Sequence, residues 1–113
     1  MEAYKLYVLE IYTAKPDKVE DVVKLIKKLA SLMKKHPEKF KEVKSYSGLQ
    51  HYIGTWGGFY EAWEVDNFSD FEKVMVKMMT DDELKVIPEE FFKLIVPGSH
   101  HFEIVNEVGY FKP

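Results

Sequence analysis

The side chains best suited to chemistry in this sequence are one glutamate and three histidines on or beside predicted strands. Glu10 interrupts an otherwise apolar strand, His51 lies in a second strand, and His100 and His101 open the last one. Burying an unpaired carboxylate against packed helices is costly. We therefore expect Glu10 in a cavity formed with a second subunit, where partial desolvation makes it a general base. Alternatively, Glu10 reaches water near the strand end or pairs with a lysine.

The paired histidines point to opposite faces of the sheet, because side chains alternate along a strand. If Phe102 and Ile104 face the helices, His100 does so too, and His101 and Glu103 point into the space between subunits. His101 is therefore the second candidate base, with Glu103 as a ligand-binding residue. The alternative is that these histidines face solvent or form ordinary hydrogen bonds.

A shared metal between His51 and His101 requires two subunits. Their strands lie at opposite edges of the predicted sheet, about 14 Å apart at ~4.8 Å per strand spacing. Across a subunit interface, the two histidines can approach and hold a metal or a haem. No other cofactor is predicted.

The aromatic residues Trp63 and Tyr52, with Phe59 and Tyr60, are candidates for the wall of a pocket that takes a flat apolar ligand. They suit the hydrophobic core equally well. The sequence has no glycine-rich phosphate loop, HExxH or GxSxG motif.

Composition excludes several classes of function. The 113 residues suit a single domain, 1–113, with 46% hydrophobic residues and no cysteine for disulfides or thiolate chemistry. All 16 basic residues are lysine and the net charge is −3, which disfavours a nucleic-acid partner. No apolar run is long enough to span a bilayer, so we expect no membrane partner and a cytoplasmic protein. Abundant lysine and glutamate with few amides are typical of a thermophilic source.

Periodicity predicts four strands and at least two helices. A helix opens at Pro16 and Asp17, with Asp17 or a neighbour as its cap, and two capping boxes start further helices at Ser69 and Thr80. Pro88 interrupts the last of these helices. The predicted strands are Tyr4–Thr13, Lys44–Thr55, Phe59–Asp66 and Ser99–Val108.

This order predicts an α+β protein with a ferredoxin-like four-stranded antiparallel sheet and helices on one face. The first strand is apolar on both faces: Leu6 and Val8 point one way, and Tyr7, Leu9 and Ile11 point the other. The helices cover one face only, and a bare apolar face is rare in a monomer. We therefore expect a homodimer in which two sheets stack and enclose an interior.

The chain resembles the dimeric α/β-barrel superfamily, which includes antibiotic-biosynthesis-type monooxygenases, stress-responsive barrel proteins and NIPSNAP-like proteins. The resemblance rests on Lys15-Pro16-Asp17-Lys18-Val19-Glu20 and on the segment from Trp63 to Glu72, which runs from a strand into a capped helix. It implies the fold and says little about activity, because the superfamily has many functions. Its haem-degrading members pair an asparagine and a histidine with a tryptophan; only Trp63 matches here.

Together these observations favour an uncharacterised homodimer whose interior cavity binds a small organic ligand. As an enzyme, it would catalyse cofactor-independent oxygenation or proton transfer, with Glu10 or His101 as the base and Trp63 packed on the substrate. The alternative is a non-enzymatic stress-type or structural barrel whose interior is filled by its own side chains.

Overall fold

A computed structural model describes residues 5–113, and its elements follow the predicted order. Tyr4, the first residue of the predicted strand, lies outside the described residues. The elements are β1 Leu6–Thr13, α1 Val19–Lys35, a short 3-10 turn Pro37–Phe40, β2 Ser45–Gln50, β3 Gly58–Val65, α2 Phe68–Thr80, α3 Val86–Leu94 and β4 His101–Asn106. The second and last strands are shorter than predicted.

The four strands form one antiparallel sheet in the order β2-β3-β1-β4. Directly paired residues share a face of a sheet, so the register assigns every side chain to one side. Glu10 pairs with Glu61 on β3 and with Phe102 on β4. All three lie on the side covered by the helices, which confirms the predicted ferredoxin-like arrangement.

The hydrophobic core lies between this helix side of the sheet and the helices. Val8, Tyr12, Phe59 and Trp63 supply its sheet layer and are almost completely buried. Each helix contributes one apolar stripe to this core. The buried residues of these stripes are Val22, Leu25 and Leu29 of α1, Phe71, Val74 and Met78 of α2, and Ile87 and Phe91 of α3.

The helix ends differ from those predicted. The side chain of Asn67, and not that of Ser69, caps α2 by accepting a hydrogen bond of 2.8 Å from the backbone N–H of Asp70. Asp81 accepts bonds from the N–H groups of Glu83 and Leu84 and stabilises the turn before α3. The predicted capping boxes at Ser69 and Thr80 were therefore wrong. The side chains that accept the backbone hydrogen bonds are those of Asn67 and Asp81, which lie one or two residues away.

Two proline-linked predictions also need correction. Lys18 occupies the cap position of α1, and no side chain caps that helix, so the cap predicted at Asp17 is absent. Pro88 is the third residue of α3 and does not interrupt it. A proline fits the first turn of a helix because the backbone N–H groups there have no intrahelical partner.

The opposite face of the sheet, which we call the outer face, carries apolar side chains that no helix covers. Tyr7, Leu9 and Ile11 of β1 and Tyr60 of β3 lie there and are half-buried, and Leu49 at the β2 edge is exposed. Within residues 5–113, none of the helices combines the length and apolarity needed to cross a membrane.

Candidate functional site

A cavity of about 240 Å³ lies between the helix side of the sheet and helices α2 and α3. Its walls are almost entirely apolar, because both helices direct their apolar stripes towards it. The apolar lining consists of Leu29, Trp63, Met75, Met78, Met79, Ile87, Pro88, Phe91, Phe92 and Phe102. Three polar side chains reach the same space: Glu10, Glu61 and His100. A mainly apolar cavity with a few convergent polar groups is typical of a small-molecule site.

Glu10 and His100 form a hydrogen-bonded pair in this cavity. The distance from His100 Nε2 to Glu10 Oε2 is 2.7 Å, and both side chains are largely buried. A carboxylate only accepts hydrogen bonds, so the neutral tautomer of His100 that fits this contact carries its proton on Nε2 and has Nδ1 as the proton acceptor. The indole Nε1–H of Trp63 donates to the other oxygen of Glu10 at 3.3 Å. Glu10 is therefore held from both sides.

Aromatic rings surround the imidazole of His100. Its centroid lies 4.9 Å from that of Phe102, 5.1 Å from Phe91 and 5.6 Å from Phe92, each in an edge or T-shaped arrangement. These rings reduce the contact of the imidazole with water, which strengthens a hydrogen bond to a charged Glu10. Rings at this distance also interact favourably with a cationic imidazolium.

Glu61 is the deepest charged group of the site, with 5% of its surface exposed. The Tyr12 hydroxyl donates to its Oε2 at 2.7 Å, and the Tyr46 hydroxyl donates to its Oε1. The pKa of Glu61 is raised from 4.5 to about 8, chiefly by burial and secondly by the charge of Glu10, and this net value includes the opposing effect of the two tyrosine hydrogen bonds. The pKa values of both tyrosines lie well above their usual range, chiefly because of burial.

This arrangement can accept a proton from a molecule in the cavity. His100 supplies a base whose conjugate acid is paired with Glu10. Apart from His100 itself, Glu10 and Glu61, the residues that line the cavity are apolar. A histidine oriented by a carboxylate is a common general-base pair in proteins.

The predicted site residues are only partly brought together here. Glu10 lies in a cavity, as predicted, but on the helix side of the sheet, so the predicted placement between subunits was wrong. The cost of burying its charge is offset by His100 and Trp63 within the same chain. Trp63 lines the cavity and also belongs to the hydrophobic core, so both of the roles considered for it apply.

The other predicted residues lie elsewhere. His101 and Glu103 are exposed on the outer face and contact each other at 3.3 Å. His51 follows β2 beside the hairpin loop, where its ring contacts the Thr55 carbonyl oxygen and makes a T-shaped contact with the ring of Tyr60. Tyr52 is 99% exposed. None of these four side chains reaches the cavity, because the helix side of the sheet, and not the outer face, encloses it.

Sequence reasoning missed His100 and Glu61 as site residues. The signal for His100 was present, since strand alternation places it with Phe102 on the helix side. Glu61 alternates with Trp63 on the same face of β3, but a single strand does not reveal which face meets the helices. The tyrosines that bind Glu61 come from β1 and β2, so their convergence depends on the sheet order.

A metal or haem held by His51 and His101 stays a prediction that requires two subunits. The two residues lie at opposite sheet edges of one chain, as predicted. In the described part of the chain, no group of three or more histidine, aspartate and glutamate side chains is arranged to hold a metal ion.

Comparison with known proteins identifies the fold. No family model matches the sequence, and no curated protein is similar to it. A NIPSNAP family protein from Agrobacterium tumefaciens has a similar structure, with a TM-score of 0.75 at 15% identity over 98% of this chain and 92% of that chain. A second NIPSNAP protein from that organism, of unknown function, has a TM-score of 0.75 at 13% identity and covers 100% and 96%.

A protein from Caulobacter crescentus, named as a candidate antibiotic biosynthesis monooxygenase, is similar with a TM-score of 0.70 at 13% identity, over 94% of this chain and 92% of that chain. The likeness spans nearly the whole chain, so this chain shares the α+β ferredoxin-like fold of these proteins, which is the fold that the sequence resemblance implied. Identities this low carry no information about activity.

Proposed function

We propose, starting from this shared fold, that the chain binds a small, mostly apolar organic molecule with an acidic hydrogen and removes that hydrogen as a proton. The observation that carries the proposal is the 2.7 Å bond between His100 and Glu10 inside an otherwise apolar cavity of about 240 Å³. The volume supports a binding role, because a side-chain-filled interior would leave no such space.

The proposed proton transfer uses only side chains of the site. Nδ1 of His100 accepts the proton, and the resulting imidazolium keeps its Nε2–H bond to the carboxylate of Glu10. Trp63 holds Glu10 in place and offers its ring as packing surface for the ligand. The apolar walls select a ligand that has little other polarity.

The size of the cavity limits the ligand. Its volume of about 240 Å³ lies just below the range of ~300–1,000 Å³ that is usual for drug-sized ligands. One or two fused rings fit such a space. Phenols, enols and ketones with an activated methylene group are ligands of this size that carry an acidic hydrogen.

Cofactor-independent oxygenation is the finer version of this proposal. The anion left by proton removal is more electron-rich than the neutral ligand and would react with O₂. In a monooxygenation, an activated CH₂ group becomes C=O, and the second oxygen atom leaves as water with the two hydrogens. The Caulobacter crescentus protein of similar fold, named as a candidate antibiotic biosynthesis monooxygenase, supports this version. Oxygen uptake in the presence of a bound ligand would test it.

We also propose that the protein is a homodimer joined through its outer faces. The support is the row of half-buried apolar residues on β1, including Tyr7, Leu9 and Ile11, which no helix covers. A second copy would bury them by stacking sheet on sheet. The cytoplasmic location stays a prediction.

4-Nitrophenol is a suitable probe because its phenolate is yellow and its neutral form is not. We would titrate it with wild-type protein and with the variants His100→Gln and His101→Gln. Proton transfer to His100 should ionise the bound probe at a pH about one unit lower than in water, which corresponds to a preference of about 1.4 kcal/mol. His100→Gln should abolish this shift.

His101→Gln is the matched control, because it changes the neighbouring histidine on the outer face. It should leave the shift unchanged. Absence of binding to the wild type, or an equal shift in His100→Gln, would contradict the proposed site. In that case a structural role for the fold would be favoured.

A further inference from the structure

Two carboxyl groups lie side by side in the cavity, and the proposed proton transfer uses only one of them. Glu10 and Glu61 are directly paired across β1 and β3 and face the same side. Cβ atoms in such a pair are about 4.5–5.5 Å apart. Burial disfavours the ionised form of Glu61, and the charge of Glu10 disfavours it further. The pair therefore holds one proton.

The surroundings place that proton on Glu61. His100 and Trp63 both donate hydrogen bonds to Glu10 and stabilise its charge. Among residues 5–113, no lysine lines the space around Glu61: α1 and α3 face it with apolar side chains such as Leu29, Ile87 and Phe91. Its titratable neighbours are Glu10 and the tyrosines Tyr12 and Tyr46. The helix α2 contributes only methionines to this cavity.

A protonated Glu61 can donate to a tyrosine oxygen if that tyrosine turns its own hydroxyl hydrogen away. Both hydroxyls donate to a carboxylate, but a carboxylic acid has an O–H that itself needs an acceptor. Tyr12 is 2% exposed, stacks on Phe59 and makes a T-shaped contact with Phe91, so it is separated from solvent. Tyr46 lines a surface groove next to Lys44 and Ser45. Tyr46 is therefore the tyrosine that offers Glu61 the shorter route to solvent.

We propose that Glu61 is the proton store of the site and exchanges its proton with solvent through the hydroxyl of Tyr46. This inference rests on the proposed function, since a proton taken from a ligand has to leave the cavity. Glu61 gives its proton to the hydroxyl oxygen of Tyr46. At the same time, the hydroxyl of Tyr46 gives its own proton to water. Glu61 then takes the proton that His100 passes to Glu10. One proton moves from ligand to solvent, and no electrons are transferred.

Infrared spectroscopy of the ligand-free protein tests this inference. A protonated carboxyl has a C=O band separate from those of carboxylates, and the band shifts when its hydrogen is replaced by deuterium. Near neutral pH the wild type should have this band and Glu61→Gln should lack it. After transfer to D₂O, Tyr46→Phe should slow the shift of the band by about tenfold or more, the scale of one lost hydrogen bond.

Tyr12→Phe is the matched control, because it removes the other hydroxyl that binds Glu61. The band should persist in this variant and should exchange at the wild-type rate. A wild type without the band, or equal exchange rates in Tyr46→Phe and the wild type, would overturn the inference. Slowing in both tyrosine variants would overturn the route through Tyr46.

The infrared test and the 4-nitrophenol test have independent outcomes, so failure of one proposal can be distinguished from failure of the other. A probe that ionises in a protein without the carboxyl band leaves the proposed function standing and rejects the proton store. A carboxyl band that exchanges through Tyr46, in a protein that does not bind the probe, would support the proton store and reject the proposed function.

Discussion

Glu61 makes the stability of this protein depend on pH in a direction unusual for a carboxyl group. Its pKa is raised to about 8 in the folded state from 4.5, mainly by burial. Between these values the folded protein binds a proton that the unfolded chain has released. The free energy of unfolding therefore falls as pH rises from about 5 to about 8, by an amount on the order of a few kcal/mol.

Glu61→Gln should remove most of this decline, because glutamine stays neutral throughout. Urea unfolding of both proteins at several pH values measures the effect. Glu64→Gln is the control on the same strand, since Glu64 lies on the outer face and accepts a hydrogen bond from Ser45. A wild type whose free energy of unfolding is constant over this pH range would show that folding does not raise the pKa of Glu61.

Among the elements, α2 begins at a different residue from the one that its sequence motif predicts. The sequence from Ser69 to Glu72 fits a capping box, but the helix begins at Phe68 and Asn67 provides the cap. Asn67→Ala should therefore destabilise the protein by about 1 kcal/mol. That loss corresponds to a fall in Tm of about 4 °C.

Ser69→Ala is the natural comparison, because Ser69 is exposed in the first turn of α2. It should change Tm much less than Asn67→Ala does. Thermal unfolding followed by circular dichroism distinguishes the two variants. A larger loss in Ser69→Ala would indicate that the helix begins two residues later, where the sequence motif predicted it.

At the scale of the whole molecule, the apolar outer face predicts how two copies associate. Leu9 lies in the middle of β1 on this face, and pairs with Ala62 and Glu103 on the neighbouring strands. Leu9→Lys would place two charges in the proposed interface and should convert the dimer into a folded monomer. Native mass spectrometry and light scattering measure the change.

Val76→Lys is the matched control, because Val76 is exposed on α2, on the helix side of the sheet. It should leave the dimer intact. A wild-type monomer, or a dimer that persists in Leu9→Lys, would show that the outer faces do not pair.

Much of the architecture could be predicted from the sequence because it depends on local patterns. Alternation along β1 and the apolar stripes of α1 and α2 identify these elements, and their order leads to the ferredoxin-like sheet. Helix starts were less accurate at Ser69 and Thr80. Several residues near each start are able to cap, and tertiary packing selects one of them.

The sequence by itself determined the element order, the two apolar faces of β1 and the candidacy of Glu10 and Trp63. Only the tertiary structure decided which face encloses the cavity. A one-residue difference along a strand reverses the direction of a side chain, so His100 lies in the cavity and His101 outside it. Likewise, Glu61 meets Glu10, Tyr12 and Tyr46 only because three strands are adjacent in the sheet. Burial and pairing arise between elements, and no single segment contains that information.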